Sequence, residues 1–367
     1  MTTKLRAASF QDGAITTAKI AADAVTNGKI ADDAVQTENF ASTVNLGRRN
    51  VIINGAMQIS QRAGSVTGIT SASYPTCDRW YFNINSSGTW TISQSTDAPT
   101  GSGFTNSFKA DCTTADASLA SGDYIQFQQR FEGQDLQQLK YGTSSAEKIT
   151  LSFWVKATKT GTNVVMLYQD DADKMINAQY TINASNTWEH KTLTFVGNTG
   201  DVITNDNTRG FICIWHLAAG SSRTSGSIMN TWGSYTTANE AVGQVNHADS
   251  TSNEWYITGV QLEVGEQATP FEHRSFREEL ALCQRYFYKH NINSSSGPRA
   301  TQYHNSYKMV HDFFPVTMRA FPTATATFNA SFTANSLSTN VGKFYVASAH
   351  DAAHNYYMQT GQYDAEL

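Results

Sequence analysis

Three acidic residues, Glu132, Asp135 and Glu263, are the first candidates for chemistry, because two carboxylates flanking a glycosidic bond suffice for general acid–base hydrolysis. Nothing in their spacing selects a pair, and carboxylates on strand surfaces are usually solvated. The chain has no nucleophile elbow, Walker loop, His-Glu-x-x-His or Cys-x-x-Cys motif. The sequence therefore predicts no enzyme and no cofactor, with a glycan depolymerase as the less favoured alternative. Asp78-Arg79-Trp80 reads as structural: an Asp–Arg pair beside a buried indole at the start of a strand. Glu272-His273-Arg274 reads as a hydrogen-bonded junction.

The aromatic residues are better candidates. Sugars stack C–H faces on exposed rings while amides and carboxylates hold their hydroxyls. The last segment is dense in such groups, and Tyr345, His350, His354, Tyr356, Tyr357 and Tyr363 are its candidate glycan contacts. His350 and His354 are also spaced to share a metal, but no metal site is assigned.

These side chains need β structure to hold them. The 367 residues carry 40% hydrophobic and only 16% charged side chains, against roughly 25% charged in an average protein. Thr, Ser, Asn, Gln and Gly fill the difference and suit strand surfaces and turns. A net charge of −5 without a Lys/Arg run excludes a nucleic-acid stripe. The first residues lack an apolar signal region, and no apolar run reaches membrane-span length. Cys77, Cys112, Cys213 and Cys283 fit neither a zinc pattern nor a disulfide framework and are expected as small buried hydrophobes. Synthesis and folding in a reducing cytoplasm follow.

From Asn50 to Phe271 the pattern has period two. On Lys148–Ala157, Ile149, Leu151, Phe153 and Val155 share one face. Leu193 and Phe195 share a face on a second strand, and Gly210–Leu217 is apolar on both faces, as a central strand is. On Tyr256–Val264 the pattern places Val260, Leu262 and Val264 inward and Gln261 and Glu263 outward. The fold class is mainly β, with an antiparallel, jelly-roll-like sandwich at 47–274. Ser275 and Glu278 form a capping box, and apolar spacing predicts a linker helix over 275–288. Strand-like runs at 307–314, 323–329 and 343–348 predict a smaller C-terminal β domain over 289–367.

Residues 12–41 are three ten-residue units with Ile15, Ile20, Val25, Ile30, Val35 and Phe40 at every fifth position. Five residues turn an α-helix by ~140°, so no stripe forms; on a flat strand an odd step alternates faces. The anchors therefore predict an extended, winding stalk over 1–46 that needs identical chains to bury them, with an alanine-rich amphipathic helix, favoured by Ala and Lys but not by the period, as the alternative.

Several phrases resemble virion proteins of tailed phages, especially those infecting marine bacteria and cyanobacteria. The repeats resemble their tail-fibre stalks. Residues 54–62 (Asn-Gly-Ala-Met-Gln-Ile-Ser-Gln-Arg) with Asp78-Arg79-Trp80 resemble the start of their β domain, and 259–265 with 268–274 its end. Residues 279–286 resemble the following linker helix. The resemblance implies a homotrimeric tail fibre on the particle surface, attached to other virion proteins through a short N-terminal peptide, whose β domains meet a host-surface glycan. The alternative is a structural appendage or adaptor, in capsid, tail or baseplate, that binds only other virion proteins. Neither reading involves nucleic acid or membrane insertion.

Overall fold

The computed structural model describes residues 48–291, 301–304, 307–328, 332–346 and 358–367. The chain divides into two units, Met1–Gly47 and Arg48–Leu367. The expected axial residues Ile15, Ile20, Val25, Ile30, Val35 and Phe40 lie outside the described residues.

The second unit is mainly β, and two six-stranded antiparallel sheets form its sandwich. The first sheet contains β1 (Ser65–Ile69), β3 (Thr89–Ser95), β4 (Ser107–Thr114), β12 (Glu254–Val264), β6 (Ile149–Ala157) and β9 (Glu189–Phe195), in that spatial order. The second contains β11 (Gly233–Ser234), β8 (Lys174–Ile182), β7 (Gly161–Gln169), β10 (Arg209–Ala219), β5 (Tyr124–Glu132) and β2 (Tyr81–Asn85).

Alternation explains the packing. Ile149, Leu151, Phe153 and Val155 of β6 are fully buried in the core. Phe127 on β5 stacks on Trp80 at 4.5 Å and meets Phe108 on β4 at 4.3 Å, Trp255 on β12 at 5.5 Å and Trp215 on β10 at 5.8 Å. One ring thus joins both sheets, and such ring pairs add to the area they bury. The four cysteines are buried and unpaired. Strand β10 is buried on both faces as its composition requires. Gln261 and Glu263 on β12 depart from expectation. They are buried, because the chain after β12 folds over them: Gln261 Nε2 donates to Glu263 Oε1 at 2.8 Å, and Thr269 donates its N–H (2.8 Å) and hydroxyl (2.6 Å) to Glu263.

The chain enters and leaves the sandwich at one place. Arg274 donates to Ile52 O at 2.9 Å and to Asn50 O, Glu272 accepts the Asn50 N–H at 2.8 Å, and Glu279 accepts the Asn54 N–H at 2.5 Å. Besides a one-turn helix α1 (Ser221–Thr224), the α-helix here is α2 (Phe276–Gln284). Ser275 caps it, accepting Glu278 N–H at 3.3 Å. The Glu278 carboxylate lies 4.0 Å from Arg48, and no reciprocal bond back to Ser275 occurs among the described residues. The helix ends four residues before the expected 288, because Phe287–Asn291 is strand β13, paired with β19 (Met358–Asp364). Tertiary pairing overrides the helical period there.

The C-terminal region has two small antiparallel sheets. β13, β19 and β16 (Thr323–Phe328) form one. β14 (Thr301–His304), β15 (Tyr307–Phe313), β18 (Val341–Val346) and β17 (Phe332–Leu337) form the other. Val310, Met318, Phe344, Met358 and Tyr363 are its core. Its last residues return to the sandwich. Arg62 donates to Asp364 at 3.0 Å and Glu366 at 3.3 Å, Arg79 pairs with Glu366, and Arg130 and Tyr74 donate to Leu367 O at 2.5 and 3.2 Å. The Arg79 and Arg62 guanidinium groups cover the rings of Tyr286 and Phe287 at 3.4 and 3.7 Å.

Among the described residues no helix is long and apolar enough to cross a membrane.

Candidate functional site

The second sheet has one face in the core and one away from it, and the outer face is unusual. On β5, Ile125, Phe127 and Phe131 point into the core, while Tyr124, Gln126, Gln128 and Arg130 line a groove of about 360 Å³. A cavity of that size suits a small ligand. Antiparallel register sets its rows. Gln128 stands opposite Tyr81 on β2 and Ile214 on β10, and Ile214 is opposite Met166 on β7. Arg130 is opposite Ile212, and Ile212 opposite Tyr168. Asn83 is opposite Gln126, and Gln126 opposite His216.

The floor is apolar: Met166, Ile212 and Ile214 line it and form a small cluster with the buried Met175 beneath, and Tyr168 and Tyr235 pack against that cluster. The walls are charged but internally neutralised. Arg209 holds both oxygens of Asp170, at 2.9 and 3.0 Å. Arg223, from α1, reaches both Glu240 oxygens at 2.5 and 2.6 Å, and its guanidinium lies 4.2 Å from the Tyr124 ring centre. Tyr235 also donates to Glu240, and Tyr168 donates to Asp173 at 2.8 Å. Burial and these carboxylate acceptors raise both phenol pKa values, so the hydroxyls remain protonated. The Tyr168 and Tyr235 rings meet edge-on at 5.4 Å.

Along β5 a chain of amides runs across the groove. Arg130 Nε donates to Gln128 Oε1 at 3.3 Å, Gln128 Nε2 to Gln126 Oε1 at 2.7 Å, and Asn83 Nδ2 to the same oxygen at 3.1 Å. His216 on β10 is fully buried beside it, and both its ring nitrogens lack a protein hydrogen-bond partner. Burial, then the Arg223 charge, pushes its pKa down to about 3, so the ring is neutral.

The residues named from the sequence lie elsewhere. Asp78, Arg79 and Trp80 are buried, but Asp78 and Arg79 do not pair with each other. Asp78 accepts Gln61 N–H at 3.0 Å and faces Arg62 at 3.8 Å, while Arg79 faces Glu366. Trp80 Nε1 donates to Asn54 O at 2.9 Å. Tyr363 is fully buried and donates to Asp312 at 2.8 Å, so it presents no ring to a ligand; its strand is the centre of the β13–β19–β16 sheet. Tyr345 lies on β18. His350, His354, Tyr356 and Tyr357 lie outside the described residues. Glu132 is buried against Arg285 at 2.7 and 2.9 Å. No cluster of metal-ligating side chains occurs among the described residues.

Nothing in the sequence reading marked the groove. Its signal was the alternation on β5 itself, where every outward residue from 124 to 130 is an aromatic, an amide or an arginine.

No family model matches the chain, and no curated protein matches it significantly. Its distant structural similarity is to phage tail proteins and carbohydrate-binding modules. Tailspike protein 4 of bacteriophage CBA120 (enzymatically active domain) is 13% identical, covering 59% of this chain and 21% of its own, at TM-score 0.30. The chain thus spans about a fifth of that tailspike. A family 11 carbohydrate-binding module from Clostridium thermocellum, in complex with a β-1,3-1,4-mixed-linked tetrasaccharide, is 9% identical over 57% of this chain and 99% of its own, at TM-score 0.27. The tripod from the baseplate of bacteriophage Tuc2009 is 12% identical over 82% of this chain and 91% of its own, also at TM-score 0.27.

Proposed function

We propose that the chain is a non-catalytic appendage protein of a tailed phage, that it assembles as a homotrimer through residues 15–40, and that it holds a host-surface glycan in the groove over β5, β7 and β10. The groove carries this reading. A sheet face meeting only water is polar throughout, and one covered by another sheet is apolar throughout. Here an apolar floor, half-buried tyrosines and fixed amides share one concave face, the combination that holds a sugar's C–H surface and its hydroxyls together. The non-catalytic reading rests on the carboxylates. Asp170 and Glu240 each already hold an arginine, and Glu132 and Glu263 are buried in bonds of their own.

The test is adsorption. Tyr124→Ala with Tyr168→Ala removes two rings at the groove rim. It is expected to slow adsorption of particles to host cells at least tenfold while the melting temperature stays within a few degrees of the parent. Unchanged adsorption by a folded double variant sinks the glycan reading and leaves an appendage that binds only virion proteins.

The trimer reading rests on the five-residue period. Single glycan sites are weak, and three copies on one stalk raise the effective concentration without a new contact. Substituting Ile20, Ile30 and Val35 by Asp puts charge where the anchors are to be buried. Light scattering is expected to fall to the monomer mass; a variant that keeps the parent's mass rules the axis out.

A further inference from the structure

We infer that the amide relay Asn83–Gln126–Gln128–Arg130 determines the specificity of the groove and reads two adjacent hydroxyls of an uncharged sugar. This rests on the glycan reading above and narrows it to a substrate class.

The polarity of the relay is fixed from one end. An arginine Nε–H can only donate, so the atom it meets on Gln128 at 3.3 Å is the carbonyl oxygen. The Gln128 amino group then faces Gln126, and the atom it meets at 2.7 Å is the Gln126 oxygen. Asn83 donates to that same oxygen at 3.1 Å. Besides the second N–H of the Asn83 and Gln128 amino groups, two ends are left over: the Gln126 amino group, a donor, and Asn83 Oδ1, an acceptor. Neither makes another hydrogen bond among the described residues, and both residues line the groove. Gln126 is buried as a residue, and its free amino group is the part that opens into the groove. Asn83 and Gln126 are direct cross-strand partners, so both free ends belong to one neighbouring pair on the groove lining.

A donor beside an acceptor selects its ligand. Each hydroxyl both donates and accepts, so two neighbouring hydroxyls satisfy both ends at once. A trans amide points its N–H and C=O in opposite directions and cannot meet both from one side. A carboxylate or sulfate has no proton for Asn83 Oδ1. An anion also finds no unengaged arginine: Arg209 holds Asp170, Arg223 holds Glu240, and Arg130 holds Gln128 and Leu367 O. Binding one would break a pair already formed. Arg130 acts through Gln128 and is a positioning residue.

Titration calorimetry of the full chain with cellotriose, β-1,4-mannotriose, β-1,4-galactotriose and tri-galacturonate tests this. At least one neutral trisaccharide is expected to bind, with tri-galacturonate at least tenfold weaker. Gln126→Glu keeps an oxygen for Gln128 and Asn83 but removes the donor. It is expected to cost about tenfold in affinity, or 1.4 kcal/mol. Asn83→Ala, at a half-buried position, removes the acceptor with a similar loss and guards against misfolding of the first variant. Arg130→Met is expected to lose affinity and to shift the side-chain amide resonances of Gln126 and Gln128 in the unliganded protein; Arg130→Lys, still a donor, restores part of both. Parent-like affinity in Gln126→Glu and Asn83→Ala, or tri-galacturonate binding as tightly as the neutral sugars, overturns the relay while the groove reading stands on the tyrosine variants. No binding of any neutral trisaccharide also overturns the relay; joined to unchanged adsorption of the tyrosine variant, it removes the groove reading too.

Discussion

Arg79→Met destabilises the second unit by about 3–5 kcal/mol, because it removes one member of a buried ion pair and leaves the other behind. Arg79 is 1% exposed and Glu366 is 4% exposed at the side chain, so water screens neither. The guanidinium also donates to Arg130 O at 2.5 Å and covers the Tyr286 ring at 3.4 Å. The residue sits at φ 73°, a left-handed backbone that a non-glycine residue adopts only when its surroundings hold it there. The melting temperature should fall by roughly 10 °C. Adding Glu366→Gln to Arg79→Met should return much of the loss, since no uncompensated carboxylate then remains. Strict additivity in that double-mutant cycle would show that the two side chains do not act as a pair. Removing residues 358–367 inflicts the same lesion together with the loss of β19, so the tail is part of the fold and cannot be trimmed as a separate recognition tip.

Acid weakens the protein well before its carboxylates titrate as a group. Burial, first of all, pushes His216 and His247 down to about 3, helped by the Arg223 charge for the first and Lys159 for the second. An unfolded imidazole takes its proton near pH 6.5. Between those values the unfolded chain holds more protons, so stability is intact above pH 6.5 and falls as pH drops toward 3. Two histidines amount to roughly 5 kcal/mol between pH 6.5 and 4.5. Asp78 opposes them. Burial raises its pKa from 3.8 to about 6, so the folded state gains a proton first and recovers about 2 kcal/mol over the same window. The expected net loss is about 3 kcal/mol, read as a lower urea midpoint at pH 4.5 than at pH 6.5. His216→Leu should flatten most of that slope. A variant whose midpoints track the parent at both pH values would disprove the buried-imidazole account.

Strands such as β6 and β10 were legible because burial on one face or both writes its period directly into the residues. The start of α2 was legible from Ser275, but its end was not, because β13 is decided by a partner strand some seventy residues later. Gln261 and Glu263 alternate correctly and are nonetheless buried, since alternation does not reveal which loop will cover a polar face. The groove was hidden for a related reason. Outward amides on β5 look like a solvated face until register sets them beside Ile212, Ile214 and Met166. Tyr363 was misplaced because composition does not distinguish a ring in a small core from a ring at a surface.

The clamp at the sandwich entrance has a mechanical consequence. Asn50 and Arg274 are separated by 224 residues of sequence, yet they are joined directly, with Glu272 and Glu279 bonding the same short stretch of backbone. Tension between Arg48 and helix α2 therefore meets these short crosslinks before it reaches any strand. A pull between those two points leaves the intervening strands, and the groove over β5, β7 and β10, in register until the crosslinks give.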